Sequence, residues 1–233
     1  ITRGERFRYS LIKNYGTLNI GNEKMNGTIY FDGNKEKVTK TDSLIYIESG
    51  NLNIKGKIII QNNYCASNGG GILSINGNLN INENVIIQNN YALNNGGGIY
   101  LKSSELIMAK AKIKNNIAQN YGGGIFALDV ESKCTLSNIE ITENSANSGS
   151  GGGIYTYGIL DVSGNDTNIS NNVAGTYGGG IMLKTEGTIE NTIISQNKAL
   201  TEAGGGIRCD GRLILKNCKV IENKAFTTGG GVD

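Results

Sequence analysis

The sequence predicts an all-β protein: a three-sided parallel β-helix of about eight coils, with 25–29 residues per coil. Three observations carry this expectation. A glycine triad followed by Ile or Val recurs seven times, at Gly69, Gly96, Gly122, Gly151, Gly178, Gly204 and Gly229. The segments between triads hold three short strand signals and no helical period. The same side-chain types also return at fixed offsets in every copy. A period of this length describes stacked units that cannot each bury a core alone.

In the copy that starts at Gly69, the strand signals are Gly71-Ile72-Leu73-Ser74-Ile75, Asn78-Leu79-Asn80-Ile81 and Asn84-Val85-Ile86-Ile87-Gln88. Each is bounded by Gly, Asn or Ser, which break strands and make turns. In the third strand one aliphatic position repeats almost unchanged: Ile60, Ile87, Ile113, Ile141, Ile169, Ile194 and Val220. Stacked β-branched residues of this kind fit the inside of a parallel sheet. A second inward file is Ile58, Val85, Ala111, Ile139, Thr167, Thr192 and Cys218.

Three residues after the aliphatic ladder, every copy carries an asparagine: Asn63, Asn90, Asn116, Asn144, Asn172, Asn197 and Asn223. At one turn per coil, about 4.8 Å apart, their amides can donate to and accept from the copies above and below. They are assigned a structural role. Two residues further on comes a small residue, Cys65 in the first copy and Ala92, Ala118, Ala146, Ala174, Ala199 and Ala225 in the others. A larger side chain there would collide with its stacked equivalents. The triads that follow are read as the sharpest corner, where positive φ or close backbone approach excludes a side chain.

The pattern aliphatic-x-x-Asn-x-Ala followed by Gly-Gly-Gly-Ile resembles the repeat of the chlamydial polymorphic outer-membrane proteins, which pairs FxxN with GGA and an aliphatic. The resemblance covers residues 42–233. It departs in two places, with Ile or Val where that repeat has Phe and a third glycine where it has Ala. It implies a β-helical surface adhesin of the autotransporter-passenger type, located at the cell surface or outer membrane or secreted. It also implies a right-handed coil, in line with the general crossover preference of parallel strands.

Residues 42–233 are read as the regular repeats, and residues 1–41 as an N-terminal cap with an irregular first coil. Gly50-Asn51-Leu52-Asn53-Ile54 matches Gly77-Asn78-Leu79-Asn80-Ile81, with Asp42-Ser43-Leu44 in place of the triad. Gly16-Thr17-Leu18-Asn19-Ile20 and Gly27-Thr28-Ile29-Tyr30-Phe31 look like strands of one more coil. Residues 35–41 are expected to protrude as a loop, and residues 1–10 to cover the open end. Val232-Asp233 falls inside a strand signal, so the natural chain is expected to continue.

Composition narrows the function. The 233 residues carry 22 basic and 20 acidic side chains, a net charge of +2, interspersed rather than blocked. That argues against nucleic acid or an anionic membrane as partner. No run approaches the 18 or so apolar residues of a transmembrane segment. Cys65, Cys134, Cys209 and Cys218 show no CxxC spacing, and there is no histidine to join them at a zinc site. They are read as small buried hydrophobes, with a disulfide or a reactive thiol as alternatives. No metal or cofactor is implied.

If the aliphatic after each triad points inward, the next residue points out. That outward file is Tyr46, Leu73, Tyr100, Phe126, Tyr155, Met182 and Arg208, six of them aromatic or large and apolar. It is the candidate contact surface for a protein or glycan on another cell, because contiguous exposed apolar area marks a partner site. The same pattern is compatible with mutual stabilisation of stacked neighbours, or with cover by a flanking domain of the same chain. The other outward positions, among them Asn53, Asn80, Lys112, Glu140, Asn168 and Lys219, form a mixed solvated surface.

The alternative function is a polysaccharide lyase or hydrolase of the pectate-lyase-like β-helix type. Asp129, Asp161, Asp166, Glu190 and Asp210 are the candidate carboxylates. They are scattered one per coil, whereas hydrolases need carboxylates paired at about 5 to 10 Å. A non-enzymatic adhesin or stalk is therefore the preferred function.

Overall fold

The computed structural model describes all residues, Ile1–Asp233. It contains 31 strands and no helix, so none is long and apolar enough to cross a membrane. All strands pair in parallel, each with its equivalent one coil away. One coil reads Ile72–Ile75 on the first face, Asn78–Asn82 on the second, Val85–Gln88 on the third and Tyr91–Ala92 on a short fourth. The fourth face was not foreseen. It is two residues wide in each coil, too short to read as a strand, and consists of the residue after the spine asparagine and the small residue that follows it.

The first three sheets hold eight strands and the fourth holds seven. There are thus seven complete coils, preceded by one without a fourth-face strand, where about eight were expected. That first coil is Ile12–Asn14, Thr17–Ile20 and Ile29–Asp32, in register with Ile45, Asn51 and Ile58. Residues 35–41 do not protrude. They take the place of the missing strand: Thr41 bridges Cys65, its N–H donates to the Tyr64 carbonyl at 2.9 Å, and Val38 is fully buried.

Inward residues alternate with outward ones on every face, as a pleated strand requires. The interior is one continuous hydrophobic column, with the Ile60 to Ile194 ladder wholly shielded from solvent. The second inward file is equally buried from Ile58 to Thr192. Cys65 and Cys134 are buried, Cys209 and Cys218 half-buried, and all four are free thiols. Burial pushes the Cys134 thiol up to about 12.

The asparagines from Asn63 to Asn197 form a buried polar spine beside that column. The Asn116 amide donates to the Ile87 carbonyl at 2.9 Å and to Asn144 Oδ1 at 3.1 Å, while Asn144 Oδ1 also accepts the Asn116 backbone N–H at 3.0 Å. The same three bonds recur at Asn90, Asn144, Asn172 and Asn197. The amides therefore run head to tail, and the first one is left with a free acceptor. Arg3, fully buried, and Thr41 both donate to Asn63 Oδ1, and Arg3 also reaches the carbonyls of Tyr9 and Asp42. Burial lowers the pKa of Arg3.

The triads close the corner beside the spine. Gly122 has φ +63°, and a Cβ on Gly123 would strike the carbonyl oxygens of Gly152 and Ser145 in the next coil. The glycine backbones bond coil to coil: Gly123 N–H to the Gly151 carbonyl at 3.1 Å, Gly124 N–H to that of Gly153 at 3.1 Å.

A second corner was invisible in the sequence. The residue before each spine asparagine has φ between +54° and +57°: Asn62, Asn89, Asn115, Glu143, Asn171, Gln196 and Glu222. Asparagine tolerates this conformation better than glutamate or glutamine does.

Two neighbouring substitutions should have opposite effects in urea unfolding. Asn144→Ala orphans the Ile113 carbonyl and both Asn116 donors and should lose about 3 kcal/mol, at about 1–3 per buried group. Glu143→Asn relieves a strained, exposed residue and should gain about 0.5–1 kcal/mol.

Candidate functional site

The seven residues predicted as a contact row do align. Tyr46, Leu73, Tyr100, Phe126, Tyr155, Met182 and Arg208 are successive register partners on the first face. Their exposure differs from expectation. Tyr100, Phe126, Tyr155 and Met182 are 2–7% exposed and form a second hydrophobic cluster outside the coil; Tyr46, Leu73 and Arg208 are half-buried. The row is thus roofed by its own chain.

The roof comes from two places. One is the position immediately before a triad, where Tyr121 and Tyr177 stand in two of the seven copies. Tyr121 lies 6.2 Å from the Phe126 ring and 5.1 Å from that of Tyr155, over Gly149, where a Cβ would come within 2.7 Å of the tyrosine ring. Tyr177 packs on the same cluster. The other is residues 128–132, a link lengthened by two residues in the longest coil, which turn out between first and second faces and lay Leu128 on the cluster. Asp129 anchors that turn by accepting from Ser132 Oγ at 2.6 Å and from Ser103 Oγ at 2.8 Å. Burial opposes its ionisation, yet these hydroxyl and N–H donors outweigh it and hold the carboxyl below its ordinary value.

Three adjacent members of the row, Tyr100, Phe126 and Tyr155, form an aromatic stack that Tyr157 extends. Ring centroids are 5.4 Å apart for Tyr100 and Phe126, 5.3 Å for Phe126 and Tyr155, and 5.3 Å for Tyr155 and Tyr157. Each such pair is worth about 0.5–1.5 kcal/mol beyond the area it buries. Burial, together with the neighbouring Tyr157 hydroxyl at 3.2 Å, pushes the Tyr155 phenol far above its usual range. The exposed parts of the stack are its rims, Tyr121 at 42% and Tyr157 at 36%.

Two troughs flank the row. One, about 390 Å³, lies at the N-terminal end beside Tyr15, Tyr46 and Leu73, with Lys13 5.9 Å from the Tyr46 ring. Burial and the Glu48 carboxylate raise the Tyr46 phenol to about 12. The other, about 450 Å³, lies at the C-terminal end between Tyr121, Tyr155 and Tyr177 and the Lys184–Arg208–Asp210 group. Arg208 donates to Asp210 at 2.9 Å and stands 5.4 Å from the Tyr177 ring; Lys184 also pairs with Asp210, and Arg208 with Asp233. Burial works against the Asp210 carboxylate, but the two cations hold it below its ordinary value.

The family model of the right-handed β-helix region matches residues 94–233, more than half of the sequence. The chain belongs to that family. The β-helix also matches the Chlamydia polymorphic membrane protein repeat over residues 84–102. That stretch holds the Ile87 and Asn90 ladder positions, Ala92, the triad at Gly96 and Tyr100, the elements on which the resemblance was drawn. The coil is therefore right-handed, as expected. No curated protein and no solved structure matches the chain.

The carboxylates of the enzymatic alternative do not come together in the β-helix. Asp161 faces Lys133 at 3.9 Å, Glu190 pairs with Lys216 at 2.6 Å, Asp210 with Lys184 and Arg208, and Asp129 with two serines. Asp166 is exposed on a turn. No three His, Cys, Asp or Glu side chains converge in a way that could hold a metal ion. Tyr121, Tyr157 and Tyr177 escaped sequence reasoning, although Tyr121 and Tyr177 carried one signal: they are aromatic residues at two of the seven positions preceding a triad.

Because the row is a packed cluster, Phe126→Ala should behave as a core truncation. It should destabilise the chain by about 3–5 kcal/mol in chemical denaturation, whereas Tyr121→Ala at the exposed rim should cost under about 1.5 kcal/mol.

Proposed function

We propose that this β-helix is a non-enzymatic surface adhesin or stalk, displayed on the cell surface or outer membrane or secreted, whose first face contacts a protein or glycan on another cell. The observation that carries this is the first face itself. A stack of rings rests on a rigid frame, exposes its rims at Tyr121 and Tyr157, and is flanked by the two troughs. Concave sites that mix aromatic walls with a few convergent polar groups are the usual places for ligands.

The remaining faces support the assignment. On the second and third, charges cancel along the stacking direction, as in Lys112 with Glu140 at 2.6 Å and Lys216 with Glu190 at 2.6 Å. Amides pair likewise, as in Asn53 with Asn80 at 2.9 Å and Gln61 with Gln88 at 2.8 Å. Such ladders satisfy their own polar groups and leave little unpaired for a partner. The dispersed and paired carboxylates favour binding over catalysis. The repeat matched at residues 84–102 supports a surface location.

Attachment tests this directly. Beads coated with the wild-type chain should adhere to target cells, the Tyr121→Ser/Tyr157→Ser variant should lose most adhesion, and a third-face Lys112→Ala/Glu140→Ala control should keep it. Equal adhesion by all three would remove the first face as the contact surface.

A further inference from the structure

We infer that the C-terminal trough of the first face is a subsite for a neutral glycan. This rests on the first face being the contact surface and specifies the ligand there. The trough holds about 450 Å³, within the range of about 300–1,000 Å³ for small-ligand sites. A protein partner needs about 800 Å² per side, far more than such a trough offers.

Its walls match the two chemistries of a pyranose ring. The C–H faces of a sugar are apolar and weakly positive, and they pack against the electron-rich face of an aromatic ring. Tyr121, backed by Tyr155 at 5.1 Å and fixed over Gly149, lines the trough and is 42% exposed. The hydroxyls around a sugar need donors and acceptors, and the trough supplies the Ser150–Thr176 pair, whose oxygens are 2.7 Å apart. Beside it lies the Lys184–Arg208–Asp210 group, with N–H donors left over after its ion pairs.

Charge selects the neutral class. Asp210 binds both Lys184 and Arg208, and Asp233 binds Arg208 a second time, so two cations face two anions. An acidic sugar would have to compete with these carboxylates, and a cationic one with the lysine and arginine. Spacing supplies the direction. Coils stack about 4.8 Å apart, close to the length of one pyranose unit, so a chain running along the solenoid axis meets one coil per sugar. From the Tyr121 rim to the Arg208 coil there is room for about three units at that spacing.

The test is a tyrosine-fluorescence and saturation-transfer titration with hexasaccharides of β-1,4-glucose, α-1,4-glucose and β-1,4-N-acetylglucosamine, and with hexagalacturonate as the acidic member. At least one neutral oligomer should bind the wild type better than hexagalacturonate does. Tyr121→Ala should weaken that binding about tenfold, the equivalent of one lost ring contact, and Tyr121→Phe should retain it. Asp210→Asn, which uncovers Lys184 and Arg208, should shift preference toward hexagalacturonate. If the wild type binds none of the four, or prefers hexagalacturonate, the inference is overturned. The bead assay then separates the two ideas, because adhesion that still depends on Tyr121 and Tyr157 leaves the first-face reading standing with a non-glycan ligand.

Discussion

Every coil turns a sharp corner between its third and first faces, and the backbone groups there lie too deep for water and outside the long sheets. A side-chain amide carries separate donor and acceptor atoms that can reach neighbours at the 4.8 Å coil spacing, and the spine from Asn63 to Asn223 uses both. Much else follows from that placement. The residue before each asparagine is driven to positive φ. The third glycine must lie against the amide, where a Cβ on Gly124 would come within 3.3 Å of Asn144. The small residue two positions on lets the fourth face close.

Because the amides align head to tail, the spine has a polarity. Its first acceptor needs donors that no earlier asparagine provides; Thr41 of the first coil is one. The N-terminal segment meets that need with Arg3, buried at the end of the spine, while the backbone of Ile1 and Arg3 pairs with Asp32. Burying a guanidinium is costly unless its donors find acceptors. Arg3 finds three, with only Nε left unpaired. The segment whose backbone pairs with the first coil at Asp32 thus also terminates the polar column, although Ile12, Leu18 and Ile29 of that coil stay only partly buried.

The first face shows how a repeat acquires local character without disturbing its frame. The inward residue that follows each triad stays aliphatic, whereas the outward and rim positions vary from coil to coil. Where aromatics fall on neighbouring outward positions and at the rim, they coalesce into the cluster of Tyr100, Phe126, Tyr155 and Met182. Where the rim carries Asn68 and Asn95, it becomes a polar ladder instead, with Asn68 Oδ1 accepting the Asn95 N–H at 3.1 Å. The contact chemistry is set coil by coil on a frame that the spine holds constant.

The coil length, the inward files, the asparagine spine and the alignment of the first-face row were all legible in the residue pattern, because parallel stacking places equivalent residues one above another. Register alone therefore converts a sequence repeat into spatial neighbours. What lay beyond that pattern were contacts between non-equivalent positions. Tyr121 reaching over Gly149 to Tyr155, Arg3 meeting Asn63, and residues 35–41 closing the first coil join positions with no shared offset in the repeat. For the same reason the row expected to be exposed is largely covered, and its accessible edge lies at Tyr121 and Tyr157. Side-chain direction follows from strand alternation, but solvent exposure depends on what the turns fold across, and turn paths are set by packing in three dimensions.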